Sequence, residues 1–375
     1  MLESSAANRI SSGPLRLLFI KLQIATLGSW LALGGLPAMA QSASTRLDRT
    51  NLLLYHGPSG NVRTAKTEAD WEIRRSEILA AMQSVMGLLP GKEKRCPLEV
   101  SIQETNDCGS FIRQLLTYVS EPGSRVPAYL LIPKKALPGS VRLPAILSLH
   151  PTDNVHGFGV TIGIGAASQP AYGRELAERG YVVLAPAYPL LAKYQPDLKK
   201  LGYQSGTMKA IWDNIRGVDL LQSLPCVDRG RIAAIGHSLG GHNAIFTAVF
   251  EPRIKVIVSS CGFDSFLDYH QGDIAGWTSD RYMPKLSSFA PQDIPFDFHE
   301  MVGALAPRPF FVSAPKVDEN FNWQSVEAVT AAASVIYRLK HAENHLRVEH
   351  PDCQHAFPEA TRQRAYEFLD HALGR

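Results

Sequence analysis

The sequence predicts an α/β fold, with a mostly parallel, doubly wound sheet and helices on both faces. From Ala145 onward, short apolar runs alternate with segments of helical periodicity, which is typical of repeated strand–helix units. The runs are almost wholly apolar, as expected for strands that are buried on both faces. One of them, Ile232–Ile235, turns through a serine flanked by glycines into a helix of small residues. Such a sheet brings the carboxyl ends of its strands to one edge, where we expect the functional residues.

The composition is that of an ordinary globular protein: the 375 residues are 45% hydrophobic and 19% charged. The net charge of +3 comes from scattered basic residues, so no nucleic-acid partner is expected. The cysteine count of 5 leaves at least one unpaired, and the proximity of Cys96 and Cys108 predicts a disulfide between them. No Cys/His spacing predicts a structural zinc site, and no cofactor or metal ion is expected.

The first 40 residues have the pattern of a secretory signal peptide. Basic residues in the first 21 positions precede the apolar run Leu22–Leu36, and Ala38-Met39-Ala40 forms a small-residue cleavage site. A membrane anchor is the alternative, but the apolar run is short for a span and a cleavage site follows it. We therefore expect cleavage after Ala40, and a secreted or periplasmic protein with no membrane contact after cleavage.

The rest of the chain is predicted to form an N-terminal arm and helix, residues 41–110, and a catalytic domain, residues 111–375. The elements expected before the first buried strand are an extended arm at 41–68, an amphipathic helix at Asp70–Gly87, a loop at 90–110 and a β-hairpin of Leu115–Ser120 with Val126–Ile132.

Six buried strands and six helices are predicted after the hairpin. The strands are Ala145–Leu149, Tyr181–Ala185, Arg231–Gly236, Val256–Ser260, Phe310–Ser313 and Leu346–Glu349. The helices are Ala171–Gly180, Thr207–Ser223, Leu239–Phe250, a short helix from Asp297 to Leu305, Ser325–Lys340 and Pro358–Leu373. Asp297 and Glu300 are spaced as a capping box at the start of the short helix.

Residues 236–240 match the Gly-x-Ser-x-Gly pattern of a nucleophile elbow. In such a turn the serine has strained backbone angles, and the glycines leave room for the neighbouring strand and helix. Ser238 is therefore predicted to be a nucleophile at the carboxyl end of its strand. The following helix offers free N–H groups and a partial positive charge to an oxyanion. A plain strand–helix turn is the alternative, which the apolar strand and small-residue helix disfavour.

A serine nucleophile needs a histidine base, and the order of the chain selects one. In this kind of fold an acid and then a histidine follow the serine. Three later histidines lie at the wrong end of the last strand or in the closing helix: His341, His345 and His371. His350 and His355 share the loop after the last strand. Pro351 fixes His350 beside the strand, so we predict His350 to be structural and His355 to be the base.

The acid that orients His355 is predicted to be Asp318, in the loop after the strand Phe310–Ser313. Its neighbour Glu319 is expected to be solvated and uninvolved. Asp264, which follows the preceding strand, is the other position from which a carboxylate can reach the histidine.

Two backbone N–H groups are predicted to form an oxyanion hole. One belongs to Leu239, directly after the nucleophile. The other belongs to Thr152, in the loop after the first buried strand, because Pro151 has no N–H. His150 and His237 are expected to brace loops or pack, and His150 is also a candidate for substrate contact.

Residues 262–296 form an irregular insert that is expected to form a wall over the nucleophile. Within it, Trp277 is a candidate for stacking on a sugar ring, and Arg281 for binding a carboxylate or hydroxyls. The alternative is equally compatible with the sequence: Trp277 belongs to the core and Arg281 to a structural ion pair.

Five motifs carry a resemblance to a known superfamily. They are Leu149–Thr152 (Leu-His-Pro-Thr), Gly236–Asn243 (Gly-His-Ser-Leu-Gly-Gly-His-Asn), Pro295–Glu300 (Pro-Phe-Asp-Phe-His-Glu), Ala306–Pro309 (Ala-Pro-Arg-Pro) and Asp352–Pro358 (Asp-Cys-Gln-His-Ala-Phe-Pro). From about residue 70 onward the chain resembles α/β-hydrolases, most closely the secreted bacterial acetyl xylan esterase-like and dienelactone hydrolase-like branch. That branch is related to glucuronoyl esterases and to prolyl oligopeptidase catalytic domains. The resemblance implies the triad Ser238, Asp318 and His355, with Arg308 structural.

The resemblance implies a secreted serine carboxylic-ester hydrolase that deacetylates or otherwise de-esterifies a carbohydrate. Its substrate is a small-molecule or polysaccharide ester. Glucuronoyl esterases typically have Cys before the serine and Arg after it, where this chain has His237 and Leu239, which weighs against uronate esters. The stretch between Gln41 and Ala145 is too short for the β-propeller of prolyl oligopeptidases, which weighs against a peptidase. Uronate, aryl and polyester esters are the alternatives, and the intact triad disfavours a non-catalytic binding protein.

Overall fold

The computed structural model describes residues 46–137, 141–165 and 170–375, which belong to one compact unit. The predicted signal peptide, residues 1–40, lies outside the described residues. Within these ranges, no helix combines the length and the apolar character that a membrane span requires. The domain boundary at residue 110 stays a prediction.

Eleven strands are present in the described ranges: β1 (Leu54–His56), β2 (Val62–Thr64), β3 (Ser101–Asp107), β4 (Phe111–Glu121), β5 (Ser124–Pro133), β6 (Leu143–Leu149), β7 (Val182–Pro186), β8 (Val227–His237), β9 (Ile254–Ser260), β10 (Phe310–Ser313) and β11 (Leu346–Glu349). Strands β1 and β2 form a separate antiparallel hairpin, and the other nine form one sheet in the order β3-β4-β5-β7-β6-β8-β9-β10-β11. The six strands from β7 to β11 in this order are parallel, and β3, β4 and β5 extend the sheet antiparallel.

Seven α-helices are present in the same ranges: α1 (Glu68–Met86), α2 (Tyr172–Arg179), α3 (Gly206–Ser223), α4 (Leu239–Phe250), α5 (Phe298–Leu305), α6 (Trp323–Leu339) and α7 (Glu359–Ala372). The predicted helices and buried strands are confirmed, with ends that differ by a few residues. Asp297 and Glu300 form the predicted capping box at α5, and Thr67 and Asp70 form another at α1.

Both faces of the parallel sheet are buried, and β8 shows how. Ile232 and Ala234 lie in the larger core, together with residues of α3, α4 and α6. Ala233 and Ile235 lie in the smaller core, together with residues of α2 and α7. Because successive side chains of a strand face opposite sides, burial of both faces explains why these strands lack polar alternation.

The N-terminal part contains strands that the sequence analysis predicts as arm and loop. The correction concerns β1 and β2 in residues 41–68, and β3 in residues 90–110. Strand β3 is at the edge of the sheet, and its residues are exposed at all positions but one. Backbone pairing with β4 therefore holds β3 in place, and the side chains carry no apolar alternation that would reveal it.

The predicted disulfide between Cys96 and Cys108 is wrong. All five cysteines lie in the described residues and are free thiols. Strand β3 is extended between Cys96 and Cys108, and a strand advances by roughly 3.3 Å per residue. The two thiols are therefore held at opposite ends of β3, far beyond the reach of a disulfide.

The segment before β1 is fastened to the capping box of α5. Arg49 donates to the buried Asp297 carboxylate at 2.5 Å, and Arg46 donates to Glu300 at 3.1 Å. Asp297 also accepts from the Ser265 hydroxyl and the Phe266 N–H, at the start of the insert. One carboxylate thus joins the N-terminal segment to the insert.

Candidate active site

The turn between β8 and α4 has the geometry of a nucleophile elbow. Ser238 has φ 55° and ψ −121°, a backbone conformation that non-glycine residues rarely adopt. A Cβ on Gly236 would overlap the backbone of Gly240, and a Cβ on Gly240 would overlap the carbonyl of Leu149 in β6. Glycines at these two positions therefore let the helix begin directly against its own strand and the adjacent one.

Three side chains from different loops form one chain of hydrogen bonds. The Nε2 atom of His355 is 2.9 Å from Ser238 Oγ. Its Nδ1 atom is 2.9 and 3.0 Å from the two carboxylate oxygens of Asp318. Because the carboxylate can only accept, Nδ1 carries the proton and Nε2 is left to accept from the serine hydroxyl. Such an arrangement can activate a serine by general-base catalysis.

Asp318 is held as a carboxylate. Burial alone would raise its pKa, but the hydrogen bond and charge of His355 and the N–H groups of Asn320 and Phe321 lower it more. The pKa of Asp318 therefore lies below its ordinary value. The alternative acid, Asp264, is bonded to a backbone group: it accepts a hydrogen bond from the Asn322 N–H at 3.0 Å. Burial raises the pKa of Asp264 to about 8, so this carboxyl is largely protonated at neutral pH.

Two of the other histidines near the site, His350 and His150, have structural partners. His350 Nδ1 is 2.8 Å from the Ala314 carbonyl oxygen. His150 Nε2 accepts from the Tyr188 N–H at 3.0 Å, while its Nδ1 faces the Pro151 carbonyl, so this ring ties two loops together. Burial lowers the pKa of His150 to about 4. His150 is therefore uncharged at neutral pH, and it is buried.

Two clefts meet at Ser238. The first, which we name the histidine-side cleft, has a volume of about 340 Å³ and is lined by Pro151, Thr152, Pro170, His237, Ser238, His355, Ala356, Phe357, Pro358 and Arg362. The second, which we name the aromatic cleft, has a volume of about 170 Å³ and is lined by Thr152, Ser238, Leu239, His242, Tyr269, Gly276, Trp277, Tyr282, Asn320 and Phe321. The predicted oxyanion residues Leu239 and Thr152 therefore lie beside the nucleophile, with Thr152 between the two clefts.

Of the two insert candidates, Trp277 lies in the larger core, as the alternative interpretation expects, and it also lines a cleft at Ser238. Trp277 is 3% exposed and forms part of the aromatic cleft, with its ring centroid 4.8 Å from that of His242. Arg281 lines neither cleft; it donates to the Leu190 carbonyl at 3.1 Å and approaches Asn154 at 3.4 Å. Arg281 thus connects the insert to the loops after β6 and β7.

Several lining residues were not singled out from the sequence. Arg362, in the first turn of α7, donates to both carboxylate oxygens of Glu175 at 2.9 Å and to the Phe357 carbonyl at 2.7 Å. This pairing fixes the loop that carries His355. On the other side, His242 lies one helical turn after Ser238, and that spacing is the signal that could have placed it beside the nucleophile.

One group near the triad has ligand atoms spaced for a metal ion. The Cys261 thiol, the Asp318 carboxylate and the His355 ring each offer one atom, and these atoms lie within 4.8 Å of one another. The last two already bond to each other, and burial raises the pKa of Cys261, which keeps it a thiol. These contacts are better explained by three side chains that support the triad than by a site that binds a cation.

A model of the prolyl oligopeptidase family matches residues 173–374, which is more than half of the chain. The chain belongs to the prolyl oligopeptidase family. The matched segment contains Ser238, Asp318 and His355, the three side chains that are linked by hydrogen bonds.

Two curated relatives of this chain are hydrolases by name. A putative hydrolase, YtaP, from Bacillus subtilis (strain 168) is 26% identical over 314 residues, covering 80% of this chain and 100% of the relative. A 4-O-methyl-glucuronoyl methylesterase from Wolfiporia cocos (strain MD-104) is 23% identical over 333 residues, covering 82% of this chain and 77% of the relative. Ester hydrolysis is the enzyme class that the sequence predicts.

Solved structures establish the fold of this family member. A glucuronoyl esterase from Solibacter usitatus superposes with a TM-score of 0.70 at 18% identity, covering 88% of this chain and 99% of the other. A putative acetyl xylan esterase from Bacteroides fragilis has a TM-score of 0.56 at 17% identity, covering 81% and 83%. The predicted α/β-hydrolase fold and superfamily resemblance are therefore confirmed.

Proposed function

We propose that this protein is a serine carboxylic-ester hydrolase that acts on an ester of a carbohydrate. The observation that carries the proposal is the hydrogen-bonded chain of Ser238, His355 and Asp318 at the meeting point of two clefts. The names of the related proteins, among them a glucuronoyl methylesterase and an acetyl xylan esterase, support the ester class and the carbohydrate.

The proposed reaction is acyl transfer in two halves. Ser238 Oγ attacks the ester carbonyl while His355 Nε2 takes its proton, and Asp318 stabilises the charged ring. The N–H groups of Leu239 and Thr152 bind the oxyanion. His355 then protonates the leaving alcohol, and a water molecule, activated in the same way, releases the acid from Ser238.

The primary experiment measures acetate release from acetylated xylan by the purified protein and by Ser238→Ala. Release by the wild type alone supports both the nucleophile and the carbohydrate ester. Cleavage of p-nitrophenyl acetate without acetate release from xylan supports the nucleophile and contradicts an acetylated xylan substrate. Equal activity of Ser238→Ala and wild type contradicts the proposed mechanism.

Uronate esters are the second candidate substrates, because the glucuronoyl esterases named above are among the relatives in sequence and in structure. The elbow differs from their pattern at His237 and Leu239, so any uronate specificity must come from other residues. Release of methanol from methyl glucuronate tests this candidate directly. A proline-containing peptide, cleaved in the same assay series, would instead favour a peptidase.

We also propose that the protein is exported, with cleavage after Ala40. The basic, apolar and small-residue regions of residues 1–40 support this proposal. N-terminal sequencing of the exported protein should give Gln41 as the first residue, and a start before Gln41 would contradict it.

A further inference from the structure

The position of His355 assigns the two halves of an ester to the two clefts. The leaving alcohol must receive a proton from His355 Nε2, so it lies on the side of Ser238 where that ring is found. His355 lines the histidine-side cleft and not the aromatic cleft. With the carbonyl oxygen directed at the N–H groups of Leu239 and Thr152, the remainder of the acyl group extends into the aromatic cleft.

The aromatic cleft carries no charged side chain among the described residues that line it. Half of its lining residues carry rings, namely His242, Tyr269, Trp277, Tyr282 and Phe321. Burial lowers the pKa of His242 to about 3, so its ring is neutral at neutral pH. An acyl group with its own net charge would have no counter-charge here, which favours an uncharged one.

Two residues of this wall, Trp277 and His242, have buried polar atoms without partners among the described residues. Trp277 Nε1 and both ring nitrogens of His242 are shielded from solvent and have no hydrogen-bond partner within the described ranges. Buried donors and acceptors are normally paired, so we expect a bound group to pair with these atoms after small side-chain movements. Trp277 can only donate, whereas a neutral histidine can donate and accept. A hydroxyl group, which accepts one hydrogen bond and donates another, matches both.

The volume of the cleft limits the size of its occupant. An apolar protein cavity of about 150 Å³ holds one benzene molecule. The aromatic cleft, at about 170 Å³, is therefore large enough for a single ring. An acetyl group would leave most of it empty.

We propose that the aromatic cleft binds the acyl half of the ester, and that it selects an uncharged, ring-sized acyl group whose hydroxyl bonds to Trp277 and His242. An esterified sugar acid has this chemistry. The proposal rests on the ester-hydrolase function proposed above, and it makes Trp277 and His242 specificity-determining residues.

The test compares two methyl esters as substrates of the full-length protein, methyl glucuronate and methyl cyclohexanecarboxylate. Both release methanol and both have a ring as acyl group, but only the first carries hydroxyls. We define the preference ratio as kcat/KM for the first ester divided by kcat/KM for the second. Comparing this ratio between variants cancels the intrinsic reactivity of the two esters.

Trp277→Phe and His242→Leu are each expected to lower the preference ratio roughly tenfold or more, because a site built to bind a hydroxyl loses its discrimination with the bonding group. His242→Gln keeps an uncharged donor and acceptor and should retain most of the ratio. Trp323→Phe is the matched control, since Trp323 packs against His350 at a tilted angle and lines neither cleft. Its ratio should equal that of the wild type.

Circular dichroism and Tm identify variants that fail to fold, and the two His242 variants decide the question if Trp277→Phe does not fold. A ratio within twofold of wild type in folded Trp277→Phe and His242→Leu overturns the proposal. So does equal wild-type turnover of methyl octanoate and methyl glucuronate. If no ester at all is cleaved, p-nitrophenyl acetate included, or if Ser238→Ala matches the wild type, the ester-hydrolase function itself fails.

Discussion

The two clefts at Ser238 share a nucleophile but differ in their electrostatics. In the histidine-side cleft the functional groups are paired: His355 is hydrogen-bonded to Asp318, and Arg362 forms an ion pair with Glu175. In the aromatic cleft the polar nitrogens of Trp277 and His242 are unpaired, and none of the described residues that line it is charged. The contrast separates two tasks. Proton transfer requires groups fixed before the substrate arrives, whereas recognition requires groups whose partner is the substrate.

The largest effect is expected from the acid of the proposed triad. Asp318→Asn should lower kcat for p-nitrophenyl acetate by about 10⁴-fold, because an amide no longer holds His355 in the tautomer that accepts from Ser238. Asp264→Asn is the matched control. Its carboxyl has a pKa raised to about 8, so an uncharged amide of the same shape should leave kcat within a few-fold at pH 7.

If Asp264→Asn lowers kcat strongly and Asp318→Asn does not, Asp264 is the acid that orients His355.

Asp264→Asn is also expected to change the pH dependence of stability. A buried carboxyl with a raised pKa keeps its proton in the folded state while the unfolded state loses it above its lower pKa. Asp264 therefore destabilises the fold increasingly as pH rises toward 8, and Asp264→Asn should gain stability relative to wild type over that range.

A smaller effect is expected from the ion pair that fixes the His355 loop. Arg362→Gln removes both bonds to Glu175 and the bond to the Phe357 carbonyl, so His355 should be held less accurately. We expect kcat to fall roughly tenfold with a smaller change in KM, since misplacement of a catalytic group acts mainly on the chemical step.

Arg364→Gln provides the control two residues along α7, where Arg364 is half-exposed and pairs with Glu349. Its kcat should match the wild type. If kcat falls equally in both variants, α7 affects activity through its general stability. The ion pair of Arg362 would then have no specific part in positioning His355.

The smallest effect concerns the neutral ring of His242 and is measured as stability. The folded pKa is about 3, below that of an unfolded histidine, so the unfolded state alone takes up a proton as pH falls from 6.5 toward 4. Unfolding is therefore favoured over that window, by on the order of 1 kcal/mol per pH unit for each such histidine.

Urea unfolding at several pH values measures this dependence. His242→Gln should show a shallower loss of stability toward low pH, while His371→Gln, at an exposed position of α7, should follow the wild type. Identical slopes for wild type and His242→Gln would mean that His242 takes up its proton in the folded state. The aromatic cleft would then be charged at low pH, which contradicts the proposal that its wall stays neutral.

The residues of the proposed triad can be predicted from the sequence more readily than the residues of the aromatic cleft. The order of strands restricts where Ser238, Asp318 and His355 can lie, because parallel strands deliver their loops to one edge. No similar restriction exists for the aromatic cleft. Phe321 and Tyr282 come from separate loops, and only their packing on Trp277 shows that they share a wall with it.

Two further differences have the same physical origin. Strand β3 is held by backbone pairing at an edge, which leaves no pattern in the side chains, and the distance between Cys96 and Cys108 depends on that strand. Arg281 is a long polar residue in the insert, and its sequence context does not tell whether it faces a substrate or the Leu190 carbonyl. Contacts made through the backbone are the ones that residue types reveal least.

The contact between Arg49 and Asp297 joins the N-terminal segment to the insert that forms part of the aromatic cleft. Asp297 also holds Ser265 and Phe266, at the beginning of the insert that carries Trp277. A protease that trimmed the amino terminus beyond Arg49 would therefore release a clamp on the cleft wall, although the cut lies 248 residues away in sequence from the carboxylate. Removal of residues through Arg49 is therefore expected to loosen the wall of the aromatic cleft, whereas the proposed cleavage after Ala40 leaves this clamp in place.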